Sequence, residues 1–383
     1  MKIISIVGAR PNFMKIAPFI RAIQKHNKKS DNKIQHILVH TGQHYDVRMS
    51  QQFFDELNIP PADIHLEIGS GTHAEQVGKT MIEFEKVVRA EKPDWVIVVG
   101  DVNAICAGSI VAKKEHVKLA HIEAGLRSGD ITMPEEVNRL VADRLSDLLL
   151  TPDRISNANL EKEGVPNEKI KFVGNIMIDT LENEREKAKK LNPSAIIEKN
   201  LLTKINTIPQ IENDKYAVVT LHRPSNVDNK EILSHIVDFL SDEVAKDIPV
   251  IWSIHPRTQK NLIEFGLMEK LSSNPKMILL HPLGYHSMLR LNMHARAVLT
   301  DSGGLQEECT VLGTPCLTLR WNTERPITLK EHGGASVLVG NNIERIREEY
   351  LKTLTFVRNP VKPELWDGKT AERIVKQIYE YNL

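Results

Sequence analysis

The chain is expected to be an α/β protein built from two doubly wound parallel sheets in two domains facing a cleft. Three observations predict this. Short apolar runs alternate with amphipathic stretches of helical spacing. The alternation restarts after a polar segment near the middle. In both halves the runs end on clusters of polar residues. Apolar runs separated by about 10–15-residue helical patterns give parallel strands with crossover helices. At 383 residues the chain also exceeds what one hydrophobic core usually serves.

In the first half the strand-like runs are residues 2–7, 34–40, 95–99, 119–122 and 148–150. Helical faces lie between them, such as Ile16, Phe19, Ile20 and Ile23, or Val137, Leu140, Val141 and Leu145. Residues 184–215 are rich in Lys, Glu, Asn and Pro, which reads as a solvated helix plus linker. Strand-like runs resume at 216–221, 250–254, 277–280, 297–300, 316–319 and 336–339, and 370–381 close the chain as a helix. The expected domains are therefore 1–183 and 184–365, with 366–383 packing back on the first.

Lys plus Arg and Asp plus Glu number 50 each, so the formal charge is zero. That balance argues against a broad nucleic-acid or anionic-membrane surface. No apolar stretch approaches the roughly 18 residues a membrane span needs, and residues 2–7 are too short for a signal sequence. The three cysteines, Cys106, Cys309 and Cys316, form neither a metal pattern nor a disulfide framework. A cytoplasmic protein with reduced thiols is expected.

The densest chemistry lies in His121-Ile122-Glu123-Ala124-Gly125-Leu126-Arg127, followed by Pro134-Glu135-Glu136-Val137-Asn138-Arg139. Ligands of open α/β sheets bind just beyond the carboxyl ends of the strands, where Glu123 falls. Glu135 has a structural alternative, a capping box with Thr132. Glu135 or Glu136 can also pair with Arg139 on the helix surface. Asp101 ends a wholly apolar run, placed either for function or as a helix cap. Gly8-Ala9-Arg10-Pro11 is not a dinucleotide fingerprint, so no nicotinamide or flavin is implied. Arg10 and Lys15 at this strand–helix junction suit a diphosphate.

In the second half, Asp301-Ser302-Gly303-Gly304 joins a strand to a helix. Its small residues leave amides open to an anion, and Glu307 or Glu308 beyond them can accept from a ribose diol. His222 stands at another strand end. Histidines 36, 40 and 44 share a four-residue spacing, but on a strand they do not converge, and no metal is expected.

These segments resemble the non-hydrolysing UDP-N-acetylglucosamine 2-epimerases along essentially the whole chain. The matching words include Gly8-Ala9-Arg10-Pro11 with Lys15, Thr41-Gly42-Gln43-His44, Gly100-Asp101, the two segments around Glu123 and Glu135, Thr300–Glu308 and Thr323-Glu324-Arg325-Pro326. The resemblance implies a glycosyltransferase-B-like fold of two Rossmann-like domains, the second binding UDP, and a cofactor-free homodimer. It implies epimerisation at sugar carbon 2 through loss and return of UDP. Asp101, Glu123 and Glu135 are then the carboxylates around the proton transfers, with His222 and Arg139 orienting substrate. Arg10 and Lys15 face the diphosphate, Ser302, Gly303 and Gly304 supply amides to it, Glu308 takes the ribose, and Arg325 lies nearby.

The chain departs from the best-known members in three places. Only Asp130-Ile131-Thr132-Met133 precedes Pro134, where a longer loop is usual. Met288 stands where an aromatic residue often covers uracil. The Arg-Gln segment tied to an allosteric substrate site is replaced by residues 67–74. Relatives acting on a UDP-2,3-diacetamido uronic acid are similar in these respects. That sugar, a hydrolysing epimerase, a glycosyltransferase and a silent nucleotide-sugar binder are the competing expectations.

Overall fold

The computed structural model describes residues 1–8, 10–42, 56–203 and 208–381. The chain divides into two compact units, Met1–Asn183 with Pro363–Leu383, and Glu184–Lys362.

The first unit carries a seven-stranded sheet ordered β3-β2-β1-β4-β5-β6-β7, with every pairing parallel. Its strands are β1 Lys2–Val7, β2 Gln35–His40, β3 Ile64–His65, β4 Trp95–Val99, β5 Lys118–Ile122, β6 Leu148–Thr151 and β7 Ile170–Phe172. β4 is buried at all five positions, as expected of a central strand covered by helices on both faces. The edge strands β3 and β7 escaped the sequence reading. They are two and three residues long, half covered, and contain His65 and Lys171 in place of an apolar run.

The chain winds outward from β1 through β2 to β3, then returns to β4 on the other side of β1. The crevice between the ends of β1 and β4 is thus the switch point where such sheets bind ligands. Gly8 and Lys15 follow one strand, and Gly100 and Asp101 the other.

The C-terminal helix, Thr370–Glu380, lies against the first helix of the chain, Arg10–Lys29. Its first amides are taken by a borrowed carboxylate. Asp179 accepts from Thr370 N at 3.0 Å and Ala371 N at 2.7 Å, an N-cap supplied from another helix. Burial pushes Asp179 up to about 6 despite those two amides.

The second unit repeats the plan with six strands, ordered β10-β9-β8-β11-β12-β13 and all parallel. They are β8 Ala217–Thr220, β9 Val250–Ser253, β10 Met277–Leu280, β11 Ala297–Thr300, β12 Cys316–Thr318 and β13 Ser336–Leu338. Its switch point lies between β8 and β11, which lead into His222 and Asp301. The core beneath is built from Val219, Trp252, Leu279 and Leu299, all within 1 % of full burial. The segment 184–215, expected to be a solvated helix plus linker, is less solvated than its composition implies. It contains the helix Pro193–Asn200, whose Ile196 and Ile197 are buried against Tyr216, Val218 and Ile278.

Candidate active site

At the first switch point the sequence-expected residues converge. Asn12 fastens the turn after β1 by accepting from Gly8 N at 3.0 Å and donating to Val99 O at 2.7 Å. From the same helix Lys15 reaches the end of β5 and pairs with Glu123, both side chains nearly fully buried. Oε2 of Glu123 takes the lysine. Oε1 is buried and accepts no hydrogen bond among the described residues. Glu123 itself has φ +72°, a conformation that is strained for a non-glycine residue and typical of functional sites. Lys15 therefore engages a carboxylate here, whereas the sequence reading aimed it at a diphosphate. The Arg10 side chain and His44 lie outside the described residues.

Gly100 shows why that position lacks a side chain. It has φ +77°, and a Cβ would lie 2.9 Å from Lys15 Nζ and 3.7 Å from Glu123 Oε2. Asp101 is not a helix cap. Val102 occupies that position with no side-chain bond. Asp101 instead accepts from Arg139 Nη1 at 2.7 Å. Arg139, 1 % exposed, turns its other edge to Glu136.

The two glutamates at the start of the helix Pro134–Leu145 have different tasks. Glu136 accepts from the amides of Ser128 and Gly129, each at 3.0 Å, as well as from Arg139. Burial opposes its charge, but these donors hold its carboxyl below the ordinary value. Glu135 has no hydrogen-bond or ion-pair partner among the described residues. The capping box with Thr132 does not form, because Met133 is the cap and the Thr132 hydroxyl donates to Asp130 at 2.6 Å. Glu135 is left half-exposed and unengaged.

Beneath these groups lies an element that no local pattern revealed. Asp143 accepts from Gly125 N at 3.0 Å and Arg127 Nη1 at 2.6 Å, and its other oxygen is 2.6 Å from His121 Nδ1. Burial works against its charge, yet His121 and Arg127 keep Asp143 below the usual carboxylate range. Its sequence neighbours, Ala142 and Arg144, say nothing of this. Only the helix packing brings position 143 beneath β5.

In the second unit, Asp301 gathers the turn after β8. Its carboxylate accepts from His222 N at 2.9 Å, Arg223 N at 2.8 Å, Asn226 Nδ2 at 3.1 Å and His222 Nδ1 at 2.8 Å. Asp301 is fully buried, and although burial opposes ionisation, the His222 ring and these amides keep it below its ordinary value. With Nδ1 held by Asp301, the His222 ring remains half-exposed. The pairing of Thr220 with Thr300 across β8 and β11 makes this contact possible.

Ser302 begins the helix Gly303–Leu312 without a side-chain cap. The leading amides at Gly303 and Gly304 therefore have no partner from Ser302, which suits an anion. A Cβ on Gly303 would lie 2.6 Å from Arg325 Nη1. Arg325 belongs to a buried network with Glu324 and Glu307, the latter at 2.8 Å. Glu307 is thus a counter-ion to Arg325. Glu308 is pushed up to about 7, first by burial, with Tyr285 opposing the rise and Glu307 adding to it. Tyr285 was also missed in the sequence. Met288 follows one turn later, half-buried at the edge of the core. No group of three or more potential metal ligands occurs among the described residues.

The UDP-N-acetylglucosamine 2-epimerase family profile matches residues 26–379. The chain is 45 % identical over 378 residues to the UDP-N-acetylglucosamine 2-epimerase of Methanocaldococcus jannaschii, covering 98 % of each. It is 39 % identical to the UDP-2,3-diacetamido-2,3-dideoxy-D-glucuronate 2-epimerase of Pseudomonas aeruginosa, covering 99 % of each. The crystal structure of the M. jannaschii enzyme in complex with UDP-GlcNAc and UDP superposes with a TM-score of 0.87 at 43 % identity, covering 99 % of this chain and all of that one. A lipopolysaccharide galactosyltransferase, 13 % identical with a TM-score of 0.53 and full coverage of both chains, shares the glycosyltransferase-B-like fold alone. With this fold, these strand-end residues and these matches, the chain belongs to the UDP-N-acetylglucosamine 2-epimerase family.

Proposed function

We propose that the enzyme interconverts UDP-N-acetylglucosamine and UDP-N-acetylmannosamine without a cofactor. A base takes the proton from sugar carbon 2 while the bond from carbon 1 to the UDP oxygen breaks. UDP leaves with the electron pair, and a 2-acetamidoglucal with a double bond between carbons 1 and 2 remains. A proton delivered to the opposite face of carbon 2 and return of UDP to carbon 1 complete the epimerisation.

The observation that carries this reading is the set of three carboxylates in three different states. Among the described residues, Glu123 is buried on Lys15 with one oxygen unbonded, Asp101 is held by Arg139, and Glu135 has no partner. Two-faced proton chemistry needs such unlike acids. Arg139 and His222 would orient the substrate, Lys15 would hold the Glu123 carboxylate it pairs with, and Arg10 would offset charge on the departing diphosphate. The Ser302 amide is given to Thr300 Oγ1 at 3.1 Å, so the amides at Gly303 and Gly304 would hold the diphosphate beside Arg325, Glu308 the ribose, and Met288 the base. A cytoplasmic homodimer is carried over from the family resemblance.

The similarity to the P. aeruginosa enzyme and the short stretch before Pro134 favour a second sugar, the 2,3-diacetamido uronic acid. Incubation with each UDP-sugar, read by proton NMR, tests both. The manno epimer of UDP-N-acetylglucosamine is expected. Accumulation of free UDP with free N-acetylmannosamine would establish hydrolysis, and turnover of the uronic acid alone would establish the second sugar.

A further inference from the structure

His121 lies on β5 with its ring wholly buried. Nδ1 is 2.6 Å from Asp143 Oδ1, and Nε2 is 2.8 Å from the Gly100 carbonyl oxygen. A carboxylate and a carbonyl are both acceptors, so filling both contacts takes two ring N–H donors. A ring with one bare nitrogen would leave two acceptors facing each other in a buried place, which is costly.

The Gly100 peptide is where this contact matters. Its amide donates to Ile122 O at 3.1 Å, and its carbonyl belongs to the bond leading into Asp101. Gly100 also forms the floor under Lys15 and Glu123, where even a methyl group would strike the lysine. On the other side of the ring, Asp143 holds the Glu123–Arg127 turn through Gly125 N and Arg127. One carboxylate and one imidazole thus connect the backbone after β4 with the backbone after β5.

We infer that Asp143 and His121 form a positioning pair. His121, as a double donor, fixes the Gly100–Asp101 peptide relative to Glu123 and so sets the spacing of two carboxylates it does not itself touch. The inference rests on the proposed epimerase reading. His121 transfers no proton to substrate. Its effect passes through the placement of Asp101, and a misplacement of about 1 Å can cost on the order of 100-fold in rate.

Two substitutions separate the ring's contacts. In H121Q the amide nitrogen replaces Nε2 and keeps a donor toward Gly100. In H121N it replaces Nδ1 and keeps a donor toward Asp143 only. H121Q should retain kcat within about threefold, whereas H121N should lose on the order of 100-fold in kcat with KM and UDP affinity unchanged. Equal kcat in the two variants, or a loss confined to KM or thermal stability, would overturn the positioning role. Should either variant fail to fold, nitrogen-15 NMR of the wild-type ring decides. Hydrogen on both nitrogens supports the pair, and a bare nitrogen overturns it. Wild-type enzyme that turns over neither UDP-sugar would refute the epimerase reading instead, and the ring spectrum would still judge the double donor.

Discussion

Glu308 gives the prediction with the clearest magnitude. Its carboxyl is buried beside Glu307 and pushed from an ordinary 4.5 up to about 7. A group whose folded value is raised contributes most stability below its unfolded value. That contribution falls as pH rises from 4.5 and is fully lost above about 7. The whole difference corresponds to ~3 kcal/mol. The isosteric E308Q has no such charge, so relative to wild type it should gain roughly 2.5 kcal/mol between pH 5 and pH 8. Asp179 titrates in the same window, but it is present in both proteins and cancels. Urea unfolding of both proteins at the two pH values reads the difference directly. The ionised form is also the one that accepts from a ribose diol, so E308Q should bind UDP more weakly by about 1.5–3 kcal/mol at pH 8. Unfolding curves that keep the same separation at both pH values would refute the buried-charge argument, and unchanged UDP affinity in calorimetry would refute the ribose assignment.

Lys15 and Glu123 are nearly fully buried, so K15A leaves an uncompensated carboxylate and should cost about 3–5 kcal/mol of stability. The double variant with E123Q should regain most of that melting temperature without regaining turnover, and a K15A protein as stable as wild type would contradict the pairing. Glu135 and Glu136 should separate in the opposite sense. E135Q should lower turnover by about 100- to 10,000-fold with an unchanged melting temperature, whereas E136Q should lose about 3 kcal/mol of stability by stripping Arg139 of a buried partner. A calorimetric scan and a turnover assay on each variant check this, and the reverse pattern would exchange the roles of the two residues.

The strand-end position of Asp101, Glu123 and His222 was legible because an apolar run that stops on a charged residue marks where a parallel strand meets solvent or ligand. The SGG segment was legible for a similar reason, since only a helix start exploits small residues followed by glutamates. Which of Glu135 and Glu136 is structural was not. That choice depends on the Ser128 and Gly129 amides arriving from a loop, and the local Thr132–Glu135 pattern pointed to a cap that Met133 and Pro134 displace. Asp143, Asp301 and Tyr285 were opaque as partners. Each acts on a residue 15 or more positions away, through strand adjacency or helix packing that no spacing rule encodes. Ile196 and Ile197 were hidden by the lysines and asparagines around them, because composition averages over a segment whereas burial selects one face.

In the proposed reaction, side chains of the first unit exchange the hydrogen at sugar carbon 2 with solvent. Running the epimerisation in deuterated water and locating the label by NMR tests this most directly. One deuterium is expected at carbon 2 of the product, with no other site labelled and with label incorporation abolished together with turnover in D101N or E123Q. Product formed at full rate with ordinary hydrogen retained at carbon 2 would contradict it and require transfer of that hydrogen without release to water.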